Sequence, residues 1–294
     1  MLATPNALNG GKMTKSSSAV LITGCSSGIG KETARHLAQA GHRVYATARK
    51  TEAIADLKEI GCETLACDVS DEASMAACVA SVEEAEGAVG ALVNNAGYSQ
   101  SGAVETVPID SVRRQFETNV FGLMRMCQLV LPAMRKQRSG RIINISSLGG
   151  KLTFPGGGVY HATKHAVEAL SDALRWEVAS FGVQVVVIEP GLIKTEFAST
   201  ALGSMDATEN EGPYGKFNHM VGKVTTGAYE GPMSKLGGGP ETVARKIETA
   251  ITADRPKTRY KVTPSAGLIM AQRSILSDKM WDRFVSTQYP RPGS

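Results

Sequence analysis

Short apolar runs alternate with longer stretches of helical spacing along most of the chain, and this alternation is the strongest constraint on its fold. A short run that is apolar almost throughout is typical of a strand buried on both faces of a sheet. Strands that alternate with helices form parallel sheets with right-handed crossovers. We therefore expect one doubly wound α/β domain with a parallel sheet of about seven strands. The predicted strands are Ala19–Gly24, Arg43–Ala48, Cys62–Cys67, Val89–Val93, Arg141–Ser147, Val183–Ile188 and Arg259–Thr263.

The composition excludes several classes of protein. The chain has 294 residues, 42% of them apolar, which suffices for a large core. A formal charge of only +4, without a basic block, argues against a nucleic-acid partner. The five cysteines form no Cys-x-x-Cys pair, which argues against a disulfide framework and a zinc site, so no metal is expected. We expect these thiols to be reduced and mostly buried.

The N-terminal residues and the apolar runs bear on where in the cell the protein is found. No apolar run approaches the ~20 residues that cross a bilayer, and no secretory signal precedes the first strand, so a cytoplasmic protein without a membrane span is expected. Residues 1–18 are rich in Gly, Ser, Asn and Lys, and Met13 stands where a native start could follow added residues. We expect residues 1–18 to be a disordered leader or tag and residues 19–294 to form the domain.

The first apolar run leads into a glycine-rich turn, Gly24-Cys25-Ser26-Ser27-Gly28-Ile29-Gly30, and then into a helix expected over Lys31–Ala40. Glycines let the backbone approach a pyrophosphate closely, and a helix N-terminus supplies unpaired N–H groups. The spacing Gly-x-x-x-Gly-x-Gly differs from the commoner Gly-x-Gly-x-x-Gly, so a tight structural turn is the alternative. The strand–turn–helix context favours a dinucleotide site.

The residues that follow the second and third strands bear on the choice of dinucleotide. Enzymes that use NAD usually place an acidic residue after the second strand, where it binds the ribose hydroxyls. This chain has Arg49 and Lys50 there, and a guanidinium can bind a 2′-phosphate, so NADP is predicted and NAD is less favoured. Asp68 and Val69 follow the third strand, where the carboxylate could meet the adenine amino group or cap the next helix. That next helix is expected over Ser70–Glu86.

Further polar groups are expected at the same edge of the sheet. The fourth strand ends in Asn94-Asn95-Ala96-Gly97, where the amides could hold the turn and the glycine could admit the cofactor. The helical region Pro108–Lys136 is expected to break near Asn119–Gly122. From its position alone, a buried Asn119 is more often a structural hydrogen-bonding group than a catalytic one. The fifth strand ends at Ser147.

Tyr160 and Lys164 lie on one face of a helix expected over Val159–Phe181. A free phenol has a pKa of about 10, and a nearby cation lowers it by favouring the phenolate. The same spacing also occurs in amphipathic helices with a half-buried tyrosine and a solvated lysine. Ser147 precedes Tyr160 by 13 residues across a glycine-rich loop, so the two hydroxyls can meet. His161 and His165 point elsewhere on the helix and are given no catalytic role.

The stretch Thr195–Gly239 has no steady periodicity and mixes glycine, methionine and aromatic residues. Long irregular segments inside compact domains are usually lids, binding loops or disordered. A substrate lid that forms an adaptable apolar wall is therefore expected over residues 195–239, with a plain surface loop as the alternative.

Together these motifs resemble the short-chain dehydrogenase/reductase family in its single-domain form, which has a Rossmann-type fold, from Ala19 onward. The segments Val44–Arg49 and Ile188–Gly191 look like the branch that contains the 17β-hydroxysteroid and retinol dehydrogenases. The resemblance rests on Thr23-Gly24-x-x-x-Gly28-Ile29-Gly30, Asn94-Asn95-Ala96-Gly97, Asn119, Ser147, Tyr160 with Lys164, and Pro190-Gly191 followed by Thr195, which occur in the family's order.

The resemblance implies a role for each of four catalytic residues. Tyr160 would be the general acid in reduction and the general base in oxidation, and Ser147 would bind the same substrate oxygen. Lys164 would bond the nicotinamide ribose and lower the pKa of the tyrosine. Asn119 would hold a water that links Lys164 to solvent.

The activity implied is hydride transfer between NADP(H) and the carbonyl or secondary alcohol of an apolar small molecule, by a homodimer or homotetramer. An epimerase or dehydratase that retains its cofactor is an alternative, although such members generally have longer chains. The other alternative is a cofactor-sensing regulatory protein without turnover, against which the intact catalytic set counts. The residues expected to contact the cofactor are Gly24, Ser26, Ser27, Gly28, Ile29, Gly30, Arg49, Asp68, Val69, Asn95, Ala96, Gly97, Tyr160, Lys164, Pro190, Gly191, Ile193 and Thr195.

Overall fold

The structure, a computed structural model of the chain, describes residues 16–196, 200, 203 and 212–292. Within this part, seven strands form one parallel sheet in the order β3-β2-β1-β4-β5-β6-β7. The predicted doubly wound α/β architecture is confirmed. The strands are β1 (Val20–Ile22), β2 (Val44–Ala48), β3 (Glu63–Ala66), β4 (Ala91–Asn94), β5 (Gly140–Ile145), β6 (Val183–Glu189) and β7 (Arg259–Lys261).

The strand order reverses beside β1, the first strand of the sheet. Val20 of β1 is paired with Val44 of β2 on one side and with Ala91 of β4 on the other. Because all the strands are parallel, their carboxyl ends meet at one edge, and a crevice forms where the order reverses. Residues that follow the strands are thereby brought together at that crevice.

Helices cover both faces of the sheet. They are α1 (Gly28–Gln39), α2 (Ala55–Glu59), α3 (Glu72–Glu86), α4 (Ile109–Phe116), α5 (Leu123–Gln137), α6 (Gly158–Val178), α7 (Gly215–Glu230), α8 (Pro240–Thr252), α9 (Pro264–Ile275) and α10 (Asp278–Ser286).

The hydrophobic core is divided in two by the sheet, because successive side chains of a strand point to opposite faces. Val20 and Ile22 pack with Leu37 of α1 and with α8 on one face. Leu21 packs with Met126 of α5, and with α3 and α6, on the other. The five cysteines belong to this interior, since all of them are buried and free. Every residue of β1 is apolar and buried, as the sequence pattern predicted.

The region after β4 also follows the prediction. The helix expected over Pro108–Lys136 is interrupted by a π-helical turn at Glu117–Gly122, where the break was predicted. After β2, a 3-10 turn, Thr51–Ile54, precedes α2.

The stretch 195–239 contains more regular structure than its composition indicated. Residues 215–230 form α7, with Phe217 and Val221 buried one turn apart. Three glycines and two adjacent threonines in this helix mask its apolar spacing. Residues 197–199, 201–202 and 204–211 lie outside the described part.

The last two helices were not predicted, although both begin with ordinary start signals. Thr263 accepts a hydrogen bond from the Ala266 N–H at the start of α9, and Pro264 occupies the first turn. Ser277 caps α10 in the same way. At the other end of the chain, Ser17 donates its N–H to Oε1 of Gln137, at 3.0 Å. The predicted leader otherwise falls in residues 1–15, outside the described part.

Candidate active site

A cavity of about 1050 Å³ opens at the carboxyl ends of strands β1 to β6. The residues predicted for the site, with the exceptions of Gly30 and Asn119, all line it. Gly30 and Asn119 lie behind the cavity wall, in contact with residues that line it. The sheet edge therefore brings together side chains that are separated by as many as 171 positions, from Gly24 to Thr195.

The glycine turn between β1 and α1 forms one end of the cavity. Gly24 and Gly28 have left-handed backbones, with φ of 72° and 56°. A methyl group on Gly30 would lie 2.3 Å from both the Gly24 carbonyl oxygen and Nδ2 of Asn95. Ser27 makes no side-chain cap at the start of α1. A close-packed glycine turn with an N-terminal helix turn uncapped by a side chain fits the pyrophosphate of a dinucleotide.

Asn95 fastens this turn to the end of β4. Its Nδ2 donates to the Thr23 carbonyl at 2.9 Å and to the Gly24 carbonyl at 3.0 Å. The Thr23 hydroxyl in turn accepts from the backbone N–H groups of Asn95 and Ala96. The predicted bracing role is thus present. Asn94 points into the core instead, where its Nδ2 donates to Oδ1 of Asn144 at 3.0 Å.

Arg49 and Asp68 line the same end of the cavity. Arg49 is exposed at the end of β2. Asp68 accepts hydrogen bonds from the N–H and hydroxyl of Ser70, at 2.9 and 2.6 Å. Although burial opposes the change, these bonds and the Arg49 charge lower the pKa of Asp68. Asp71, and not Asp68, caps α3, which leaves Asp68 as an ionised wall residue of the cavity.

Ser147 and Tyr160 meet in the middle of the cavity. The Ser147 Oγ accepts from the Gly149 N–H at 3.0 Å, which orients it, and the hydroxyl is hydrogen-bonded to the Tyr160 phenol. Loss of water around the phenol raises the pKa of Tyr160, and the Ser147 hydrogen bond lowers it by less. The net direction is opposite to the lowering expected from a nearby cation, because burial is the larger effect.

Lys164 lies one turn further along α6. Its Nζ donates to the Ile145 carbonyl at 2.8 Å and lies 5.8 Å from the centroid of the Tyr160 ring. Burial lowers the pKa of Lys164 from its ordinary 10.5 to about 8, and the charge of Glu168 partly opposes this. An ammonium with a pKa near neutrality can exchange protons under physiological conditions.

Asn119 lies in the π-helical turn, behind the cavity wall. Its amide bonds both backbone groups of Tyr98, at 3.1 and 2.9 Å, and its Nδ2 also donates to the Thr163 hydroxyl at 3.1 Å. A methyl group on Gly97 would lie 3.1 Å from the Asn119 Oδ1 and 3.8 Å from the Lys164 Nζ. Asn119 therefore joins the segment after β4 to α6 and also lies near Lys164.

The other half of the cavity has a largely apolar wall. Val221 of α7 belongs to the stretch 195–239, where an apolar wall was predicted, whereas Leu268 of α9, Phe284 of α10 and Phe154 were not predicted. His161, which was expected to point away, is 9% exposed and lines the cavity as well. Gly149 and Gly157 were the available signal for His161, since a methyl group on either would lie within 3 Å of its ring.

Comparison with known proteins decides the family. The sequence model of the short chain dehydrogenase family matches residues 18–204. The chain belongs to the short-chain dehydrogenase family. This agrees with the resemblance drawn from the motifs, and it places the glycine turn and the Tyr160–Lys164 pair within the matched region.

Individual short-chain dehydrogenases match nearly the whole chain. A 3-ketodihydrosphingosine reductase of Bacteroides thetaiotaomicron is 36% identical over 263 residues, which cover 89% of this chain and 94% of the relative. An NADPH-dependent 3-dehydrocapnine reductase of Ornithobacterium rhinotracheale is 35% identical over 272 residues, with 90% and 94% covered. The closed form of serine dehydrogenase complexed with NADP⁺ superimposes with a TM-score of 0.72 at 29% identity, covering 84% of this chain and 94% of that one.

Among residues 16–196 and 212–292, no three His, Cys, Asp or Glu side chains are grouped so as to hold a metal ion. In the same part of the chain, no helix combines the length and the apolar character required to cross a bilayer.

Proposed function

We propose that this short-chain dehydrogenase transfers a hydride between NADP(H) and the carbonyl or secondary alcohol of an apolar substrate. The observation that carries the proposal is the meeting of Tyr160 and Ser147 in one cavity with a glycine turn that fits a dinucleotide. When bound, the nicotinamide supplies or accepts the hydride, and the protein contributes orientation and proton transfer. The turn at Gly24–Gly30, together with Asn95 and Thr195, would hold the dinucleotide.

The side chains of the cavity supply the proton. In reduction, Ser147 holds the carbonyl oxygen and Tyr160 gives it a proton; in oxidation, Tyr160 removes the proton from the alcohol. Because burial raises the pKa of the phenol, the phenolate needs a cation, and Lys164 is the ammonium beside it. We assign Lys164 this role together with a hydrogen bond to the nicotinamide ribose. Asn119, next to Lys164, would hold the water that refills the proton path.

A substitution at Tyr160 tests the reaction. Tyr160→Phe keeps the ring and removes the acid, so we expect kcat to fall by about a thousandfold. The assay follows NADPH absorbance with steroid, retinoid, long-chain acyl and quinone carbonyls. Tyr45→Phe is the matched control, because that phenol bonds Glu86 at 2.7 Å and lies outside the cavity. Undiminished turnover by Tyr160→Phe would show that another group is the acid.

The preference for NADP rests on Arg49. Its guanidinium lies on the cavity wall, whereas Lys50, next to it, does not line the cavity. A relative named for NADPH dependence and a similar structure bound to NADP⁺ support the same choice. We expect Arg49→Gln to lower kcat/KM for NADPH by about ten- to a hundredfold and to leave NADH nearly unchanged, since one charged hydrogen bond is lost. Lys50→Gln should behave as the unmutated protein, and a native preference for NADH would refute the assignment.

The apolar half of the cavity supports an apolar substrate, and the keto group in the name of one relative supports a ketone. We also propose a homodimer or homotetramer in the cytoplasm. Exposed apolar side chains on the outer face of α5, α6 and the adjoining turns support the assembly, notably Phe121 and Trp176, which are 50% and 88% exposed. Five buried free cysteines suit a reducing compartment.

A further inference from the structure

The imidazole of His161 is held in a fixed position beside Ser147. A methyl group on Gly149 would lie 2.5 Å from its Cδ2, and one on Gly157 would lie 2.8 Å from its Cε1. The ring thus occupies a slot between two glycines that line the cavity. Phe154 closes the slot, with ring centroids 6.3 Å apart in an edge arrangement.

The hydrogen bonds of the slot determine where His161 carries its proton. The backbone N–H of Phe154 donates to Nδ1 at 3.2 Å, so Nδ1 is an acceptor and the proton of the neutral ring is on Nε2. Burial, with a smaller contribution from His165, lowers the pKa of His161 to about 4. The ring is therefore a neutral donor through Nε2 at physiological pH.

This donor has no acceptor among the residues that the structure describes. It is not isolated from the cavity, however, because Nε2 lies 3.1 Å from the added methyl positions of both Gly149 and Gly157. The Gly149 position also lies 3.5 Å from the Ser147 Oγ. Nε2 and Oγ are thus no more than about 6.6 Å apart. Nε2 is not one of the fully buried unpartnered atoms, so it is open to the cavity that His161 lines, where a bound molecule can reach it. An oxygen of a bound molecule is the natural partner.

We infer that His161 is a specificity-determining residue whose Nε2–H binds an oxygen substituent on the carbon next to the reacting carbonyl. The inference rests on the hydride transfer proposed above, in which Ser147 holds the carbonyl oxygen. Two donors at most about 6.6 Å apart can reach two oxygens on neighbouring carbons, and the apolar wall from Phe154 to Phe284 suits the hydrocarbon remainder. The substrate class is a long-chain ketone with an adjacent hydroxyl group.

Two ketones that differ by one hydroxyl group test this inference. Decyl hydroxymethyl ketone has the adjacent oxygen, and decyl methyl ketone lacks it. For the unmutated protein with NADPH, we expect kcat/KM to be about tenfold higher for the hydroxylated ketone, because only this ketone has an oxygen that can accept the hydrogen bond from His161. His161→Phe should abolish this preference, mainly by raising KM for the hydroxylated ketone.

Two further variants separate recognition from structure. His161→Gln restores an N–H near the same position and should recover part of the preference. His165→Gln is the matched control, because His165 is exposed one turn along α6 and does not line the cavity. Equal losses with both ketones in His161→Phe, without recovery in His161→Gln, would overturn the inference and leave a packing role.

Calorimetric binding of the two ketones distinguishes this inference from the proposed function. Binding does not require turnover, so tighter binding of the hydroxylated ketone that disappears in His161→Phe supports the inference even if neither ketone is reduced. In that case only the hydride transfer would be refuted. Turnover of both ketones with equal affinities would have the opposite meaning: the reaction would stand and the role of His161 would be refuted.

Discussion

Two polar clusters lie one after the other along α6. They differ in whether their buried charges are paired with opposite charges. The cavity cluster consists of Ser147, Tyr160 and Lys164; its cation donates to a neutral carbonyl, and burial lowers the pKa of Lys164 to about 8. The ion-pair cluster consists of Lys151, Glu168, Asp172, Glu189 and Arg259. There Arg259 is 3.0 Å from Glu168 and 2.6 Å from Asp172, and Lys151 is 2.7 Å from Glu168.

Because of this difference in pairing, Lys164 can exchange a proton near neutral pH, whereas Arg259 cannot. In the ion-pair cluster, burial opposes charge, but hydrogen bonds to Asp172 and Glu168 raise the pKa of Arg259 further. In the cavity cluster, the pKa of Lys164 moves toward neutrality. Glu168 belongs to the ion-pair cluster, yet its charge also raises the pKa of Lys164. The ion-pair cluster therefore links β7 to α6. Through the charge of Glu168 it also influences the pKa of Lys164.

The largest effect is expected when the ion-pair cluster loses its central cation. Arg259→Met leaves the buried Glu168 carboxylate with Lys151 alone and should lower the free energy of unfolding by about 3 kcal/mol at pH 7.5, since an unpaired buried charge is costly. Urea unfolding measures this. The matched control is Arg113→Met, whose ion pair with Asp110 is exposed at 71% and 73% and should contribute little. Equal, small losses in both variants would remove the distinction between the clusters.

Lys164→Met should have the opposite sign, because the buried ammonium destabilises the fold while it is charged. The folded pKa of about 8 is below the ordinary 10.5, so the unfolded chain binds more protons between these values and the Lys164 contribution to stability rises with pH across that window. We expect the variant to be more stable by about 2 kcal/mol at pH 7, with a difference that shrinks toward pH 10.5. It should also lose activity.

Stability curves at several pH values check this expectation. The difference between the unmutated protein and Lys164→Met isolates one group, because the other titrating residues are common to both. Lys58→Met, at an exposed position of α2, is the matched control. If Lys164→Met were less stable at every pH, the hydrogen bond to Ile145 would outweigh burial of the charge, and Lys164 would resemble Arg259.

The two clusters also differ in how far the sequence predicted them. Ser147, Tyr160 and Lys164 could be identified because each stands at a fixed place in a local pattern: a strand end, a helix start and the next helical turn. Gly30 could be identified for the same reason, since contacts with Gly24 and Asn95 leave no room for a methyl group. Backbone constraints of this kind can be recognised from short stretches of sequence.

The ion-pair cluster could not be predicted in this way. Arg259 meets Glu168 from 91 positions away, and only the pairing of β7 with β6 brings them together. The same limit applies to His161, whose direction on a helical wheel pointed away from Lys164. The slot that receives it depends on two loop glycines, and Leu268 and Phe284 reach the cavity from helices beyond the last strand. Such contacts depend on tertiary packing of side chains, which spacing alone does not specify.

The smallest effect is expected at Glu189. This residue belongs to the ion-pair cluster, but burial shifts its pKa as it does that of Lys164 in the cavity cluster. It is fully buried at the end of β6, and neither of its carboxylate oxygens accepts a hydrogen bond from the described residues. The Nε of Arg259 is 3.4 Å from its Oε1. Burial, with the like charge of Glu168 adding to it, raises the pKa of Glu189 to about 6. Burial thus moves the pKa of Glu189 toward neutrality, as it does for Lys164 in the cavity cluster.

Glu189→Gln should therefore change stability in a pH-dependent way. The folded state keeps the Glu189 proton between pH 4.5 and 6, so the stability this confers is present below 4.5 and is lost as the pH rises through 6. Because Arg259 retains Glu168 and Asp172, we expect Glu189→Gln to be more stable by about 1 kcal/mol at pH 7.5 and unchanged below pH 4.5. Urea midpoints at both pH values measure this, with Glu84→Gln on the exposed face of α3 as control. A loss of stability at pH 7.5 would mean that Arg259 requires the third carboxylate, and Glu189 would then belong with Glu168 as a paired charge.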